Sequence, residues 1–150
     1  MSASASSSSS RPPAGMLHPH RFMIEKFIDA LREQGFLDED FNKRRNLPEN
    51  QDSLARFCGE AEPKLETIEK ALASENVDFR SVINTVEMIR SGAARVGGTR
   101  VASACTDLQQ HCNSNNIEGS NAAYKKLSWE YYVLRDCFHH ILQAERTLED

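Results

Sequence analysis

The feature that most restricts the fold of this chain is the absence of proline after Pro63. Proline interrupts helices because it has no N–H to donate and its ring collides with the preceding turn. Glycine is also sparse beyond that point: it occurs in two small groups and at Gly119. Long uninterrupted helices are therefore permitted, and the sequence predicts an all-α protein.

Apolar residues at intervals of three and four mark one face of each predicted helix. The first stripe predicts a helix over about 20–34, with Gly35 as its C-terminal stop. Asp38 is then a plausible N-cap for a short second helix, which runs through Phe41 and ends before Pro48. The sequence thus predicts two N-terminal helices ahead of the longer ones.

The third and fourth predicted helices differ in how they are interrupted. The third contains Gly59 and Pro63, which predict a kink. Asp78 caps the fourth, which fades at Ser91–Gly92. The inward residues are Leu54, Phe57, Cys58, Ala61, Leu65, Ile68 and Leu72 in the third helix, and Phe79, Val82, Ile83, Val86 and Ile89 in the fourth.

The last two predicted helices complete the pattern. Thr99 caps the fifth, and the polar, turn-like segment 113–119 separates it from the sixth. The inward residues are Val101, Cys105, Leu108 and Cys112 in the fifth helix; in the sixth they are Tyr124, Leu127, Tyr131, Leu134, Phe138, Ile141, Glu145 and Leu148, where only Glu145 is polar. Four long amphipathic helices with short connections predict an antiparallel four-helix bundle, with the two N-terminal helices covering one end.

The composition limits domain count and partners. Residues 1–15 are Ser-, Ala- and Pro-rich with one charge, so they cannot bury enough apolar surface to become ordered. We expect a disordered tail over 1–19 and one helical domain over 20–150. The net charge is −4 and the only basic run, 43–45, is interpreted as a solvated helix end, so nucleic acid is not expected as a partner. No run is apolar enough to cross a membrane and no secretory signal is evident, so we expect a soluble, intracellular monomer.

Metal-binding and catalytic patterns are incomplete. A di-iron bundle needs Glu-x-x-His on two helices, and Asp136 with His139 is the only similar pair. Cys137 and His140 have the same spacing, but no second pair completes a zinc site. The four cysteines are too scattered for a disulfide scaffold and are expected to be reduced, mostly buried thiols. We expect no metal, no cofactor and no enzymatic activity.

Several short segments follow one another in a characteristic order. They are Gln34–Glu39, Asp78–Phe79, Gly97 with Arg100–Val101, Asn116–Gly119, and Tyr131 with Leu134. Their order and spacing over about residues 20–148 resemble those of plant histidine-containing phosphotransfer proteins, the carriers of the cytokinin-type two-component relay. The resemblance implies a helical bundle whose partners are receiver domains of sensor histidine kinases and response regulators.

That family carries its phosphorylated histidine in a fourth-helix motif of the form His-Gln-x-Lys-Gly-Ser-Ser. Counting from both flanking segments places Glu87 in the histidine column, with Met88, Arg90 and Ser91 in place of the glutamine, lysine and glycine. Gly92 and Ala93 replace the two serines. The resemblance therefore implies a pseudo-phosphotransfer protein without an acceptor, whose receiver-docking surface is Glu87, Met88, Arg90 and Ser91, edged by residues of the second and third helices.

The chemistry at this column decides the function. A neutral imidazole can attack an acyl phosphate, whereas a carboxylate on a helix lacks the Mg²⁺ and lysine that phosphoryl transfer to an aspartate requires. Three interpretations of Glu87 stay open. It could repel an acidic receiver pocket, it could mimic phosphohistidine and contact the receiver's Mg²⁺, or it could be an ordinary exposed residue paired with Arg90 or Ser91.

The sequence therefore favours a phosphorelay modulator of the cytosol and nucleus, which competes with active carriers and carries no phosphate itself. One alternative is a genuine phosphotransfer intermediate that uses a non-standard residue. The other is a helical interaction protein outside phosphorelay. Surface or capping roles are expected for all five histidines: His18, His20, His111, His139 and His140.

Overall fold

The computed structural model describes residues 19–47, 50 and 52–149, and every regular element in these ranges is a helix. The all-α prediction is confirmed. The helices are α1 (Pro19–Glu33), α2 (Phe41–Arg45), α3 (Ser53–Leu72), α4 (Phe79–Arg95), α5 (Thr99–Asn113) and α6 (Ile117–Glu149). The predicted disordered tail lies almost entirely outside the described residues.

The four long helices form the predicted bundle. α3 packs on α4, α4 on α5, α5 on α6, and α6 closes the ring against α3, while α1 lies against α6. Three-residue turns at 96–98 and 114–116 connect α4 to α5 and α5 to α6, so successive helices run antiparallel. This arrangement places the outward faces of α4 and α6 on opposite sides of the molecule.

The core consists of the stripes that the sequence predicts. All seven predicted inward residues of α3 are buried, as are the four of α5. On α6, Leu127, Tyr131, Leu134, Phe138 and Ile141 are buried. Phe79, Ile83 and Tyr124 are only partly buried against this core, and the side chain of Leu148 is outside the described residues.

The polar exception in the α6 stripe has a partner. Glu145 forms an ion pair with Arg45 of α2, whose side chain is only 14% exposed. Arg44 is also paired, with Asp38 at 2.6 Å. The interpretation of the basic run 43–45 as a solvated helix end is therefore wrong for two of its three residues, because they connect α2 to neighbouring parts of the fold.

Asp38 does not cap α2, contrary to the prediction; Asp40 occupies the N-cap position. The backbone N–H of Asp38 instead donates to the carbonyl of Gly97 at 2.9 Å, and its carboxylate accepts from Arg44 at 2.6 Å. Asp38 thus joins the α1–α2 loop to the α4–α5 turn. Helix α2 begins three residues after Asp38, at Phe41.

Two predicted boundaries near the α4–α5 turn are also wrong. α4 continues past Gly92 to Arg95. α5 has Gly98, not Thr99, at its N-cap, and no side chain caps it. Gly97 has φ +79°, a conformation that glycine adopts without steric cost, so backbone geometry rather than side-chain capping sets this turn.

The remaining features of the fold concern α3, the cysteines and membrane insertion. α3 is a single helix through Pro63, and the bend at that residue stays a prediction. The four cysteines are free thiols, three buried and Cys137 partly buried, as expected. Among the described residues, no helix has the combination of length and apolarity that crossing a membrane demands.

Candidate functional site

Helix α4 presents the predicted site on its outer side. The carboxylate of Asp78 accepts a hydrogen bond from the backbone N–H of Ser81 at 3.2 Å, which satisfies one of the free donors at the helix start and confirms the predicted cap. The inward face consists of Val82, Val86, Ile89 and Ala93. Because this face packs in the core, residues 87, 88, 90 and 91 lie at the edge or on the outside of the bundle.

Arg90, one turn further along α4, binds the Glu87 carboxylate through two hydrogen bonds. Nε of Arg90 donates to Oε1 at 2.9 Å and Nη2 donates to Oε2 at 2.5 Å. The hydroxyl of Ser91 lies 3.4 Å from Oε2. The side chains of Glu87 and Arg90 are 47% and 37% exposed, respectively. The pairing with Arg90 and Ser91 that the sequence permits is therefore present.

A fourth participant, Gln109 of α5, was not identified from the sequence. Its amide Nε2 donates to Oε1 of Glu87 at 3.0 Å and lies 3.4 Å from the carbonyl of Ile83. Gln109 follows the inward residue Leu108, and this position at the edge of the α5 stripe was the only available signal. The contact depends on the rotation of α5 against α4, which periodicity within one helix does not specify.

These hydrogen bonds fix the charge of the site. Donation by Arg90 first, and by Gln109 second, lowers the pKa of Glu87 to about 2. The same carboxylate raises the pKa of Arg90. Both groups are therefore charged at neutral pH, and because they lie in contact the local net charge is close to zero.

A depression lined by apolar and charged residues lies beside this pair, between α3 and α4. Its volume is about 370 Å³. Its lining includes the apolar Phe57, Ala61 and Met88 together with Gly92, and the charged Glu60, Lys64, Glu87 and Arg95. Met88 is 58% exposed, an unusual degree for a large apolar side chain. Residues of α3 therefore lie beside Met88, and their part in a docking surface stays a prediction.

The second helix contributes to this surface only indirectly. Arg44 of α2 donates to the backbone carbonyl of Arg95 at 3.3 Å. Arg95 is the last residue of α4, two turns beyond Glu87. The predicted involvement of the second helix is therefore confined to the C-terminal end of α4.

No histidine occurs in α4. His111 lies on α5 and His139 and His140 lie late on α6, where the ring of His140 packs edge-on to Phe27 at 4.7 Å between centroids. His18 and the side chain of His20 are outside the described residues. Within the described part of the chain, no group of three or more potential ligands could hold a metal ion.

The nearby thiol cannot act as a nucleophile in place of a histidine. Cys105 of α5 is fully buried, and burial raises its pKa to about 12. A thiol in that state carries almost no thiolate at neutral pH, and the thiolate is the reactive form. The site therefore offers an ion pair, an amide and a depression lined by apolar and charged residues.

Comparison with known proteins identifies similar sequences and folds. The Hpt domain family matches residues 52–144. The chain is 24% identical over 132 residues to histidine-containing phosphotransfer protein 5 of Arabidopsis thaliana, covering 83% of this chain and 84% of that protein. It is 25% identical over 124 residues to pseudo histidine-containing phosphotransfer protein 2 of Oryza sativa subsp. japonica, covering 79% and 82%.

Solved structures show the same architecture. A histidine-containing phosphotransfer protein from maize superimposes with a TM-score of 0.80 at 24% identity, over 86% of this chain and 99% of that one. One from Medicago truncatula gives a TM-score of 0.82 at 20% identity, over 91% and 97%. The described helices therefore form the fold of these proteins.

Proposed function

The chain belongs to the Hpt domain family, the phosphotransfer proteins of plant two-component signalling, and on that premise we propose that it docks on receiver domains without carrying phosphate. Its partners are the receivers of sensor histidine kinases and the response regulators of a cytokinin-type relay, and it competes there with active phosphotransfer proteins. The observation that carries the proposal is the state of position 87: a carboxylate bound by Arg90, Ser91 and Gln109.

The chemistry of Glu87 supports the loss of carrier activity. A nucleophile that accepts a phosphoryl group needs an electron pair free to attack and surroundings that neutralise the transferring charge. The Glu87 pKa of about 2 marks a weakly basic carboxylate, and its oxygens already accept hydrogen bonds. A phosphoryl group would have to displace Arg90 and would leave an acyl phosphate with no cation site beside it.

The depression between α3 and α4 supports retention of docking. Met88, which is 58% exposed, provides apolar surface next to position 87, and methionine side chains are enriched at protein interfaces. Lys64 and Arg95 line the same depression together with Glu60 and Glu87, so charges of both signs surround Met88 and the depression has no net charge that would repel an acidic receiver pocket. A surface of this composition can bind where the family's active members bind.

Family membership alone does not distinguish a carrier from a non-carrier. The relatives named histidine-containing and those named pseudo match this chain at nearly the same identity, 24% and 25%. The named alternative, a phosphotransfer intermediate that uses an unexpected residue, is therefore tested directly. Phosphoryl transfer from a phosphorylated receiver is measured as acid-labile label on this chain. Label that disappears when one histidine is replaced by alanine contradicts the proposal.

A gain-of-function variant tests whether the docking surface is intact. Glu87→His combined with Ser91→Gly restores the acceptor and the small neighbour of the family motif. We expect this variant to accept phosphate from a receiver, with the wild type remaining unlabelled. The matched control is Glu66→His, which places a histidine on α3 at an exposed position paired only with Lys70, and it should stay unlabelled.

A binding titration covers the third possibility, a helical interaction protein outside phosphorelay. The wild-type chain is titrated against a panel of receiver domains, each in phosphorylated and unphosphorylated form. Binding at micromolar concentration to at least one receiver is expected. Absence of binding to the whole panel at high micromolar concentration would make the interaction-protein alternative the better one.

The remaining parts of the proposal rest on the family resemblance. We infer that the protein acts as a monomer in the cytosol and nucleus. Light scattering after size-exclusion chromatography should give the mass of one chain, 16.9 kDa. A fluorescent fusion should distribute between the two compartments, and exclusion from either one would contradict this part.

A further inference from the structure

Hydrogen bonds from the same chain occupy most of the accepting capacity of the Glu87 carboxylate. An ionised carboxylate offers about four lone-pair positions. Oε1 accepts from Nε of Arg90 at 2.9 Å and from Nε2 of Gln109 at 3.0 Å. Oε2 accepts from Nη2 of Arg90 at 2.5 Å and from the hydroxyl of Ser91 at 3.4 Å. Three of the four positions are therefore taken by donors of the same chain at 3.0 Å or less, and the Ser91 hydroxyl lies beside the fourth.

These hydrogen bonds limit how Glu87 can interact with a receiver. The receiver pocket is acidic and binds Mg²⁺, an ion that takes oxygen ligands in a strict octahedral arrangement. To coordinate that ion, Glu87 would have to release the guanidinium of Arg90. Bidentate pairs of arginine and carboxylate are among the stronger hydrogen bonds in proteins. The guanidinium would also remain beside the ion and repel it.

We propose that Arg90, Ser91 and Gln109 form an internal cap on Glu87, so that the chain binds receivers without coordinating their Mg²⁺ and does not imitate phosphohistidine. This inference rests on the proposed docking function and specifies its mode. It decides between the interpretations of Glu87 that the sequence leaves open. Docking is driven by Met88 and the depression between α3 and α4. The capped carboxylate adds little attraction or repulsion.

The cap is built into the packing of two helices. Arg90 and Ser91 are fixed on the same helix as Glu87, one turn away, while Gln109 approaches from α5 and lies near the Ile83 carbonyl of α4. The donors are therefore in place before any partner arrives, and a preorganised set of donors is not displaced without cost. α4 and α5 also form an extensive contact, which holds Gln109 in register.

The test measures the dependence of receiver binding on Mg²⁺. Affinities for one receiver are determined by calorimetry with Mg²⁺ and with EDTA, for the wild type, Glu87→Gln, Arg90→Met with Gln109→Met, and the triple variant that adds Glu87→Gln. The two variants that carry Glu87→Gln have no carboxylate at this position, so any effect of Mg²⁺ on their affinity comes from the receiver itself. We expect the wild type and Glu87→Gln to show the same ratio of affinities, within about twofold.

Uncapping should create the dependence that the wild type lacks. The Arg90→Met, Gln109→Met variant leaves Glu87 free to coordinate, so its affinity ratio should exceed that of the triple variant by about fivefold or more. Arg32→Met is the matched control, because Arg32 pairs with Asp29 at the same i,i+3 spacing and the same 2.5 Å on α1. It should leave the ratio at the wild-type value.

The possible failures are distinguishable. A wild-type ratio about fivefold above that of Glu87→Gln, or an uncapped variant no different from the triple variant, overturns the cap while docking stands. Failure of every variant to bind any receiver overturns the proposed function and the cap with it. Should the double variant be poorly folded by circular dichroism, Arg90→Met alone removes both guanidinium bonds and must shift the ratio in the same direction.

Discussion

At the scale of single residues, the site illustrates what spacing within one helix can and cannot predict. Glu87, Arg90 and Ser91 are separated by three and four positions, so their contact follows from helical geometry alone. Gln109 comes from another helix, and its contact depends on how two helices rotate against each other. Sequence analysis therefore predicted three of the four participants and missed the one supplied by tertiary packing.

The titration of Glu87 gives a direct measurement at this scale. NMR of the side-chain carboxyl should give a midpoint at about 2 in the wild type. Arg90→Met removes the largest cause of the lowered pKa, so the midpoint should move toward the ordinary glutamate value of 4.5. Arg32→Met should leave the Glu87 midpoint unchanged, and an unshifted midpoint in Arg90→Met would show that Arg90 does not hold the carboxylate.

The sign of the accompanying stability change follows from the direction of the shift. Because the pKa of Glu87 is lower in the folded state, ionised Glu87 favours folding above the unfolded value near 4.5. That contribution is lost as the pH falls from about 4.5 toward about 2. In this window the wild type should lose stability more steeply than Arg90→Met.

At the scale of helices, cores are better predicted than ends. The buried stripes of α3, α5 and most of α6 follow the periodicity of the sequence, because burial of one face is a local property of the pattern. The sequence predicts the end of α4 at Gly92, yet the helix continues to Arg95, and Gly92 faces the ring of Phe57 on α3. Its role is close packing between helices, which a sequence pattern cannot separate from helix termination.

Two helical glycines offer a matched test of this distinction. A Cβ at Gly59 would have no other atom within 4 Å, whereas a Cβ at Gly92 would lie 3.1 Å from Cδ1 of Phe57. Gly59→Ala should therefore raise the free energy of unfolding by about 0.5–1 kcal/mol through helix propensity. Gly92→Ala should gain less or be destabilising. Urea denaturation measures both, and an equal gain in the two variants would contradict tight α3–α4 packing at Gly92.

At the scale of the whole molecule, an ion pair with a buried carboxylate connects α5 to α6 and to the loop before α2. Arg100 at the start of α5 donates twice to Oε2 of Glu130 on α6, at 3.2 and 3.0 Å, and Glu130 is only 3% exposed. The guanidinium also lies over the ring of Phe36, 4.2 Å from its centroid. The bundle architecture could be predicted from the sequence, but this pairing could not, because nothing in a helical pattern specifies which buried charges meet.

Removing one member of this pair should cost more than removing both. Arg100→Met leaves a buried carboxylate without its cation, and we expect a loss of about 2 kcal/mol, reduced from the value for fully buried pairs because Arg100 is partly exposed. Arg100→Met with Glu130→Met should recover most of that loss. Chemical denaturation provides the comparison, and a double variant as unstable as the single one would contradict the assignment.

The ion pair between Arg45 and Glu145 joins positions 100 residues apart, and it has a consequence for synthesis on the ribosome. Residues 19–45 leave the exit tunnel before α6 does. Arg45 can pair with Glu145, and Phe27 with His140, only after these later residues have been made, and the hydrogen bond between Asp38 and Gly97 likewise requires the α4–α5 turn. The native contacts of α1 and α2 with α6 therefore form only after α6 has been translated.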